Sequence, residues 1–284
     1  MPPPISNPSQ AGGACLPLQE VRPDNFRIKD GVDSHRIRFQ LQYEPKLNEV
    51  QTVVGASSEE NLRINDAIEN LKPRLLELYK NGSSLVSFGS SNSFDRMQNM
   101  HNQPIRANSS SLIEQILAAT TGSQLNEIQL SDQVTLKSIS DITQTELKGL
   151  QFHSGKIVFQ QRGEPDRKIE FREFCPDYDG KSLSSETLLA ALKQVPETNA
   201  CSSAPGVKTD ITYPQFYSAR GIGRSASLAI LHSFKELCLQ QNGFDTNKVS
   251  QHLATLIKQG RTQRHGHFVN SKTQEKELLK ACDQ

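Results

Sequence analysis

Apolar residues recur along the chain at two spacings, and these predict alternating helices and strands. Steps of three and four residues are typical of amphipathic helices, whereas strict alternation is typical of strands with one buried face. Helices are predicted over 65–79, 112–119, 184–195, 246–258, from Ser271 onward, and after the segment 217–227, where Leu228, Leu231, Phe234 and Leu237 form one apolar face. Strands are predicted over 36–41, 85–88, 156–159, 168–174 and at Phe216-Tyr217. The alternation favours an α/β fold around one mixed sheet flanked by helices.

Single residues refine three of the predicted helices. Thr246 precedes an apolar stripe and is expected to be an N-cap, because its hydroxyl can accept from a free helix amide. Ser271 and Gln274 have the spacing of a capping box at the start of the last helix. Pro73 falls inside the first helix, where its ring is expected to bend the axis.

The start of the chain differs in composition from the rest. Residues 1–22 are rich in proline, serine, glycine and asparagine, so we expect a disordered tail followed by one domain over 23–284. No apolar region of the kind found in signal peptides follows Met1. A polar start of this type is compatible with type III secretion, and equally with an ordinary frayed terminus.

Charge and composition exclude several classes of protein. The chain has 284 residues, and its 32 basic and 31 acidic residues give a net charge of +1. Nucleic-acid and membrane-surface proteins show a basic excess, so neither partner is expected. No apolar run approaches the roughly 18–20 residues of a membrane span. The composition is compatible with a globular chain that has an apolar core, polar surfaces and loops.

Cysteines and histidines give no sign of a metal or a cofactor. Five cysteines are scattered along the chain without a pair two residues apart, and the seven histidines show no ligand spacing. An odd number of scattered cysteines favours free thiols in a reducing compartment over a disulfide framework. We therefore expect no cofactor.

The most informative stretch is Tyr217–Ser227, YSARGIGRSAS, which lies between a predicted strand and a helix. Glycines at 221 and 223 let backbone amides converge, and the helix N-terminus adds partial positive charge. Such a loop is typical of phosphate sites. Arg224 can add a planar, bidentate grip on phosphate oxygens. The residues expected to surround the anion are Ala219, Arg220, Gly221, Ile222, Gly223 and Arg224.

Two other interpretations of this loop stay open. Gly221, Gly223 and Ala226 also fit a dinucleotide fingerprint, which requires a strand after the helix that ends in an acidic residue. Asp245 has about the right distance, but Asn242-Gly243 and the next predicted helix leave no room for that strand. A plain glycine turn is the other alternative.

Two further segments carry polar groups. Cys175-Pro176-Asp177 follows the predicted strand KIEFREF, and Asp177 can act as a general acid, although Pro-Asp is also a common turn. The segment RTQRHG over 261–266 precedes Asn270 and Gln274. We expect Arg261 and Arg264 to brace the loop rather than to contact substrate. His232 is interpreted as an ordinary helix residue.

The spacing of Ser218, Arg224 and Ser225 resembles the signature loop of the protein tyrosine phosphatases. That signature is a cysteine, five residues, an arginine and a serine or threonine, and GIGRS is kept here. The resemblance implies a highly twisted mixed sheet and a phosphocysteine mechanism with Ser218 at the nucleophile position. It also implies that Asp177 is the acid, that Ser225 stabilises the leaving thiolate, and that Gln274 positions water. Asn270 replaces a second glutamine.

This sequence departs from the family pattern at several positions. Serine replaces the nucleophilic cysteine, Cys175 replaces a tryptophan, and Tyr217 replaces a histidine. The family's phosphotyrosine-recognition tyrosine has no counterpart, because the loosely aligned segment 48–55 contains no aromatic residue. A serine hydroxyl is a much weaker acid than a thiol, so Ser218 is expected to bind phosphate without attacking it.

Segment 61–91 and the spacing of Gly266, Asn270 and Gln274 are similar to the secreted tyrosine phosphatases of bacterial pathogens, which the Yersinia enzyme represents. The resemblance implies an effector in the host cytoplasm, or otherwise a cytoplasmic protein, with phosphotyrosine proteins, phosphate-like anions and a secretion chaperone as partners. Two hypotheses stay open for Ser218. It makes an inert, substrate-trapping form of an enzyme, or it belongs to a natural pseudophosphatase that binds phosphotyrosine.

Overall fold

The structure is a computed structural model, and it describes residues 34–43, 46–56, 64–89, 111–122, 127–176, 182–196, 212–218, 221–239, 246–264, 266–269 and 271–284. These residues form one mixed sheet with helices on both faces, which confirms the predicted α/β fold. The expected tail over 1–22 lies outside them, so the division at residue 22 stays a prediction.

The sheet of the described residues contains eight strands in the order β1-β2-β8-β3-β7-β6-β5-β4. Its centre is parallel, because β8 pairs in parallel with β2 and β3, and β3 pairs in parallel with β7. The remaining pairs are antiparallel. The strands are β1 (Ser34–Tyr43), β2 (Lys46–Ala56), β3 (Gly82–Phe88), β4 (Ile128–Gln129), β5 (Val134–Leu147), β6 (Leu150–Gln161), β7 (Arg167–Cys175) and β8 (Tyr213–Ser218).

Two groups of helices cover the two faces of the sheet. The helices α1 and α2 contribute to one apolar cluster, and the helices α3 to α6 contribute to the other. The helices are α1 (Ile64–Asn81), α2 (Leu112–Gly122), α3 (Ser185–Leu192), α4 (Arg224–Leu239), α5 (Val249–Gln263) and α6 (Lys272–Cys282). None of the described helices combines the length and the apolar character that crossing a membrane requires.

Strand β8 joins the two cores. All six of its residues are buried, as expected for a central parallel strand that is covered on both faces. Phe216 packs into the cluster that contains α4, and the next residue, Tyr217, packs into the cluster that contains α1. The alternation of side chains along a strand thus fixes the strand that leads into the glycine loop from both sides.

The observed helices agree with the predicted ones except at some ends. α1 runs through Pro73 without ending, and Ser184 caps α3 by accepting from the amide of Thr187. The prediction that Thr246 is an N-cap was wrong. A 3-10 turn occupies Thr246–Lys248, so α5 starts three residues later with Lys248 at its cap position and no side-chain cap bond.

His232 lies on α4, as expected, and its side chain is buried, with 3% of it exposed. Its ring lies 5.8 Å from that of Phe216, and its Nε2 lies 4.0 Å from the carboxylate of Glu236. Burial, with a smaller contribution from the charge of Lys235, lowers the pKa of His232 to about 4. The imidazole is therefore neutral in the folded protein near pH 7.

We expect this depressed pKa to make stability fall in mild acid. An unfolded histidine has a pKa of about 6.5, so the unfolded chain binds more protons than the folded one between pH 6.5 and 4. Lowering the pH from 6.5 to 5 should cost the unaltered chain about 1.5 kcal/mol more than the His232→Gln variant. Urea unfolding of both chains at the two pH values measures this difference, and parallel losses would contradict it.

Candidate active site

The predicted nucleophile position lies at the carboxyl end of the central strand. Ser218 is the last residue of β8, it is 4% exposed, and it pairs with Ala56 at the end of β2. Its Oγ lies 2.7 Å from the Oγ of Ser225 in the first turn of α4. The structure therefore brings Ser218 and Ser225 together at the carboxyl end of the parallel strands, where α/β proteins usually bind ligands.

The glycine at 221 is required by close backbone packing. Gly221 has a φ of +64°, and its amide donates to the carbonyl of Ser218 at 3.1 Å. A Cβ on Gly221 would lie 2.6 Å from the carbonyl carbon and oxygen of Gly55. Gly55 in turn lies against the ring of Tyr217. The turn after β8 is thus packed directly onto the end of β2.

The loop presents part of the expected anion cradle. Within the described residues, the amides of Ile222 and Gly223 donate no hydrogen bond, and α4 begins at the next residue. The first turn of a helix leaves its amides without intrahelical acceptors and carries partial positive charge. One expectation is corrected, because the Gly221 amide closes the turn instead of pointing at an anion. Residues 219 and 220 lie outside the described residues.

Arg224 and Gln274 line the same small cavity beside this loop, which is too narrow for a water molecule as it stands. Both line it, together with Leu183, Leu188 and Ser227, so α3, α4 and α6 meet here. Ser271 caps α6 by accepting from the backbone amide of Gln274 at 3.1 Å, which confirms the cap predicted at this position. Because the cap uses the Gln274 backbone, its side chain stays on the cavity wall. Asn270 lies outside the described residues.

The segment 266–269, called the second loop below, contacts the loop between β8 and α4, called the anion loop, on the side opposite Gly55. The Val269 amide donates to the carbonyl of Ile222 at 2.8 Å. Arg261 donates from Nε to the Phe268 carbonyl at 3.2 Å and from Nη2 to the Val269 carbonyl at 3.4 Å. Its Nη2 also lies 2.6 Å from the Glu275 carboxylate, and both side chains are 8% exposed. Arg261 therefore braces the loop, as predicted.

The backbone of this second loop is strained. Val269 has a φ of +56°, which is an outlier for a β-branched residue and costs roughly 1–3 kcal/mol. A Cβ on Gly260 would lie 2.3 Å from the Phe268 ring, so this ring packs directly on the backbone of α5. The strained conformation is held by the Arg261 bonds and by this packing, and it directs the Val269 amide at Ile222.

The predicted acid, Asp177, follows β7, and the carboxyl end of β7 lies at the same end of the sheet as Ser218. Asp177 lies outside the described residues, but Cys175 ends β7, and β7, β3 and β8 run parallel. Two strand spacings separate β7 from β8, which is roughly 10 Å. The root of the acid segment is thus near the loop. Upstream on β7, burial raises the pKa of Glu173 to about 8.

Strand pairing bears on two points left by the sequence. Segment 48–55, in which the phosphotyrosine-recognition tyrosine has no counterpart, lies within β2, where Asn48 and Thr52 are buried. The dinucleotide interpretation is not supported by the described residues, because α4 is followed by the 3-10 turn and α5, and β8 is the last strand among them. Tertiary pairing decides both points, and it is not visible in local patterns.

Comparison with known proteins gives a likeness in structure without one in sequence. No protein-family model matches the chain, and no curated protein matches it. Two solved structures match with a TM-score of 0.50 over 82% of this chain. One is described as the structural basis of the PTPN18 fingerprint on distinct HER2 tyrosine phosphorylation sites, and the other is the catalytic domain of human PTPN18. Their identities are 11% and 12%, over 67% and 68% of those chains.

A third match is the protein tyrosine phosphatase TcPTP1 of Trypanosoma cruzi, with 13% identity, a TM-score of 0.50, and coverage of 86% of this chain and 70% of that one. This chain has the fold of a protein tyrosine phosphatase catalytic domain. In this chain the loop between β8 and α4 carries Gly221, Gly223 and, at the start of α4, Arg224.

We expect Gly221→Ala to destabilise the phosphatase fold more than Gly163→Ala. Both glycines have positive φ, so both variants carry similar backbone strain, but only the Cβ at 221 meets backbone atoms. Nothing lies within 4 Å of a Cβ at 163. The extra cost at 221 should be about 1–3 kcal/mol. Urea unfolding compares the two, and equal costs would show that the contact with Gly55 is unimportant.

We expect Arg261→Ala to cost about 3–5 kcal/mol, because it leaves the buried Glu275 carboxylate without its cation. Lys280→Ala is the matched control, since the Lys280–Glu277 pair on α6 is exposed and should contribute at most about 1 kcal/mol. Thermal and urea unfolding measure both variants. Similar small losses in the two chains would mean that the Arg261 bonds do not hold the loop.

Proposed function

We propose that this chain is a protein-tyrosine phosphatase domain that binds the phosphate of phosphotyrosine on the loop after β8. With cysteine at position 218 it would hydrolyse the ester through a phosphocysteine, and with Ser218 it is an inert form that holds its substrate. The observation that carries the proposal is the position of Ser218, buried at the base of the loop and 2.7 Å from Ser225.

The loop supplies the groups that phosphate binding requires. A phosphoester dianion would accept from the amides of Ile222 and Gly223 and from the start of α4, and the guanidinium of Arg224 would hold two of its oxygens. These donors also stabilise the charge that develops on the equatorial oxygens during in-line transfer. The backbone at 221 and 222 is held before substrate arrives, because Gly55 packs against Gly221 and Val269 donates to Ile222.

The remaining steps would use groups around the loop. Asp177, at the root of its segment beyond β7, would protonate the departing tyrosyl oxygen, which has a pKa near ~10 and leaves poorly as an anion. Gln274 would position the water that attacks the phosphoenzyme, from the cavity wall that it shares with Arg224. Ser225 would donate to the thiolate as it leaves in this second step.

Serine at 218 stops this sequence at binding. Its Oγ lies beside the hydroxyl of Ser225, and a hydroxyl is not a base that could take its proton. In active enzymes of this type the positive field of the loop makes the cysteine a thiolate, which is the nucleophile. That field cannot ionise a serine hydroxyl, so the phosphate remains bound.

For the biological role, we propose that the protein acts on phosphotyrosine proteins of a host cell as a secreted bacterial effector, carried by a secretion chaperone. The sequence supports this through its similarity over 61–91 to pathogen phosphatases and through the polar start of the chain. Among the structural neighbours, PTPN18 is a phosphatase whose fingerprint on HER2 tyrosine phosphorylation sites has been studied. Phosphotyrosine is the corresponding ligand class here.

A natural pseudophosphatase is the second candidate. Tyr217 favours it, because this residue is fully buried against Gly55 and cannot contribute a polar group to the loop. Cys175 favours it as well, since it is buried beside His153 instead of supplying a large indole at the root of the acid segment. In that case the loop would serve only to recognise phosphotyrosine.

We expect Ser218→Cys to create hydrolysis of p-nitrophenyl phosphate and of phosphotyrosine peptides. The reason is that the Ser225 hydroxyl and the loop amides are already in position. Adding Asp177→Ala to this variant should lower kcat by about 10²–10⁴-fold while peptide binding persists. Steady-state kinetics and calorimetric binding measure both effects.

The same variants separate the alternatives. If Ser218→Cys binds phosphopeptide but hydrolyses none, the pseudophosphatase is correct and the enzyme proposal fails. Thermal shift with vanadate against NAD tests the site itself: stabilisation by vanadate supports a phosphate loop, and stabilisation by NAD alone would overturn it. The Arg224→Lys variant is compared with the unaltered chain in the vanadate experiment, because it keeps the positive charge and loses the bidentate contact with the anion.

A further inference from the structure

Three side chains with different ligand atoms meet beneath the root of the acid segment. His153 on β6 pairs directly with Glu173 on β7, and Cys175 lies two residues further along β7 on the same face. A nitrogen, an oxygen and a sulfur from these residues all lie within 4.8 Å of one another. His153 is 1% exposed, and Glu173 and Cys175 are fully buried.

The spacing of these atoms matches that around a tetrahedral metal ion. Zinc binds sulfur at about 2.3 Å and imidazole nitrogen at about 2.0–2.1 Å, so the two ligands lie roughly 3.6 Å apart across a tetrahedral angle. The Sγ of Cys175 lies 3.7 Å from the Nδ1 of His153. Almost no rearrangement of these two side chains is required for both to reach one ion.

The buried carboxylate supplies an independent reason for a cation. Both oxygens of Glu173 are buried, the Ser111 side chain is the polar group that interacts with them, and none of the described lysines or arginines forms an ion pair with the carboxyl. A carboxylate in a protein interior is costly unless a cation or a proton accompanies it. Glu114 on the neighbouring helix adds a negative charge to the surroundings, not a positive one.

We propose that His153, Glu173 and Cys175 form a binding site for a divalent transition-metal ion, with zinc as the best match. Imidazole, carboxylate and thiolate together are a typical zinc donor set, and calcium or magnesium would not accept the sulfur. The thiol loses its proton to solvent when the ion binds, since only the thiolate is a ligand. The ion would neutralise the buried carboxylate and would enter as the chain folds.

This site goes beyond the proposed function and does not depend on it. Cys175 is the last residue of β7, and Pro176 follows directly, so the ion would fix the end of this strand to β6. The anion loop lies two strands away, across β3. The metal is therefore structural: it holds the strand end from which the next segment leaves, and it takes no part in phosphate chemistry.

Cobalt(II) gives the sharpest test, because a thiolate ligand produces an intense charge-transfer absorption in the near ultraviolet and tetrahedral geometry produces visible bands. The full-length apoprotein is prepared by dialysis against chelator and titrated with cobalt, then with zinc. We expect one cobalt ion per chain with both features, loss of the bands as zinc displaces cobalt, and a thermal midpoint several degrees higher with zinc than with chelator.

Controls assign the signal to these residues. A chain with Cys15, Cys201, Cys238 and Cys282 changed to serine keeps only Cys175 and should retain the absorption. Cys175→Ser in the otherwise unaltered chain should abolish the charge-transfer band, and Glu173→Gln and His153→Gln should weaken cobalt binding at least tenfold. Circular dichroism identifies any variant that does not fold. If one of the ligand variants does not fold, the chain that retains only Cys175 still shows whether this residue produces the charge-transfer band.

The proposal is overturned if the unaltered chain binds no cobalt or zinc, or if its absorption is unchanged in Cys175→Ser. It is also overturned if the chain that retains only Cys175 shows no charge-transfer band. These outcomes would leave a thiol–imidazole contact beside a protonated carboxyl. All of these readouts are independent of phosphate binding and of turnover, so failure here and failure of the proposed phosphatase activity are separate results.

Discussion

The site depends on close backbone contact between the glycine loop and its two neighbours. Gly221 lies against the backbone of Gly55 at the end of β2, and Ile222 accepts a hydrogen bond from Val269 on the other side. A loop that presents free amides to an anion cannot satisfy them internally, so other parts of the chain must hold its shape. Gly55, Gly221 and the strained Val269 show that steric fit holds this loop, in addition to hydrogen bonds.

The parallel centre of the sheet explains why two predicted catalytic segments that are distant in the sequence begin at the same end of the sheet. β8, β3 and β7 run in the same direction, so Ser218 and Cys175 both end strands there. Antiparallel pairing would have sent the acid segment to the opposite end of the molecule. The order of the strands fixes the distance between nucleophile position and acid root, and the loops only complete it.

Features that depend on local spacing could be predicted from the sequence. The apolar stripes of α1 and α4, the cap at Ser271 and the turn after β8 are all set by residues within a few positions of one another. Features that depend on strand pairing could not. Nothing local shows that Gly55 lies under Tyr217, or that His153 faces Glu173 from the neighbouring strand. The 3-10 turn that displaced the cap from Thr246 is a third case.

The loop after β8 and the end of β7 are stabilised by different interactions. The loop after β8 is held by its packing on Gly55 and by the bond from Val269 to Ile222, and the buried Arg261–Glu275 pair in turn supports the segment that carries Val269. The segment with the predicted acid follows β7 after Cys175, where His153, Glu173 and Cys175 form a buried polar cluster on the face of the sheet that also carries Phe171. A buried carboxylate at that point stabilises the fold only if a cation or a proton accompanies it. The end of β7, which precedes the predicted acid, is therefore the part of this site whose stability depends on the cation or proton that the solution supplies.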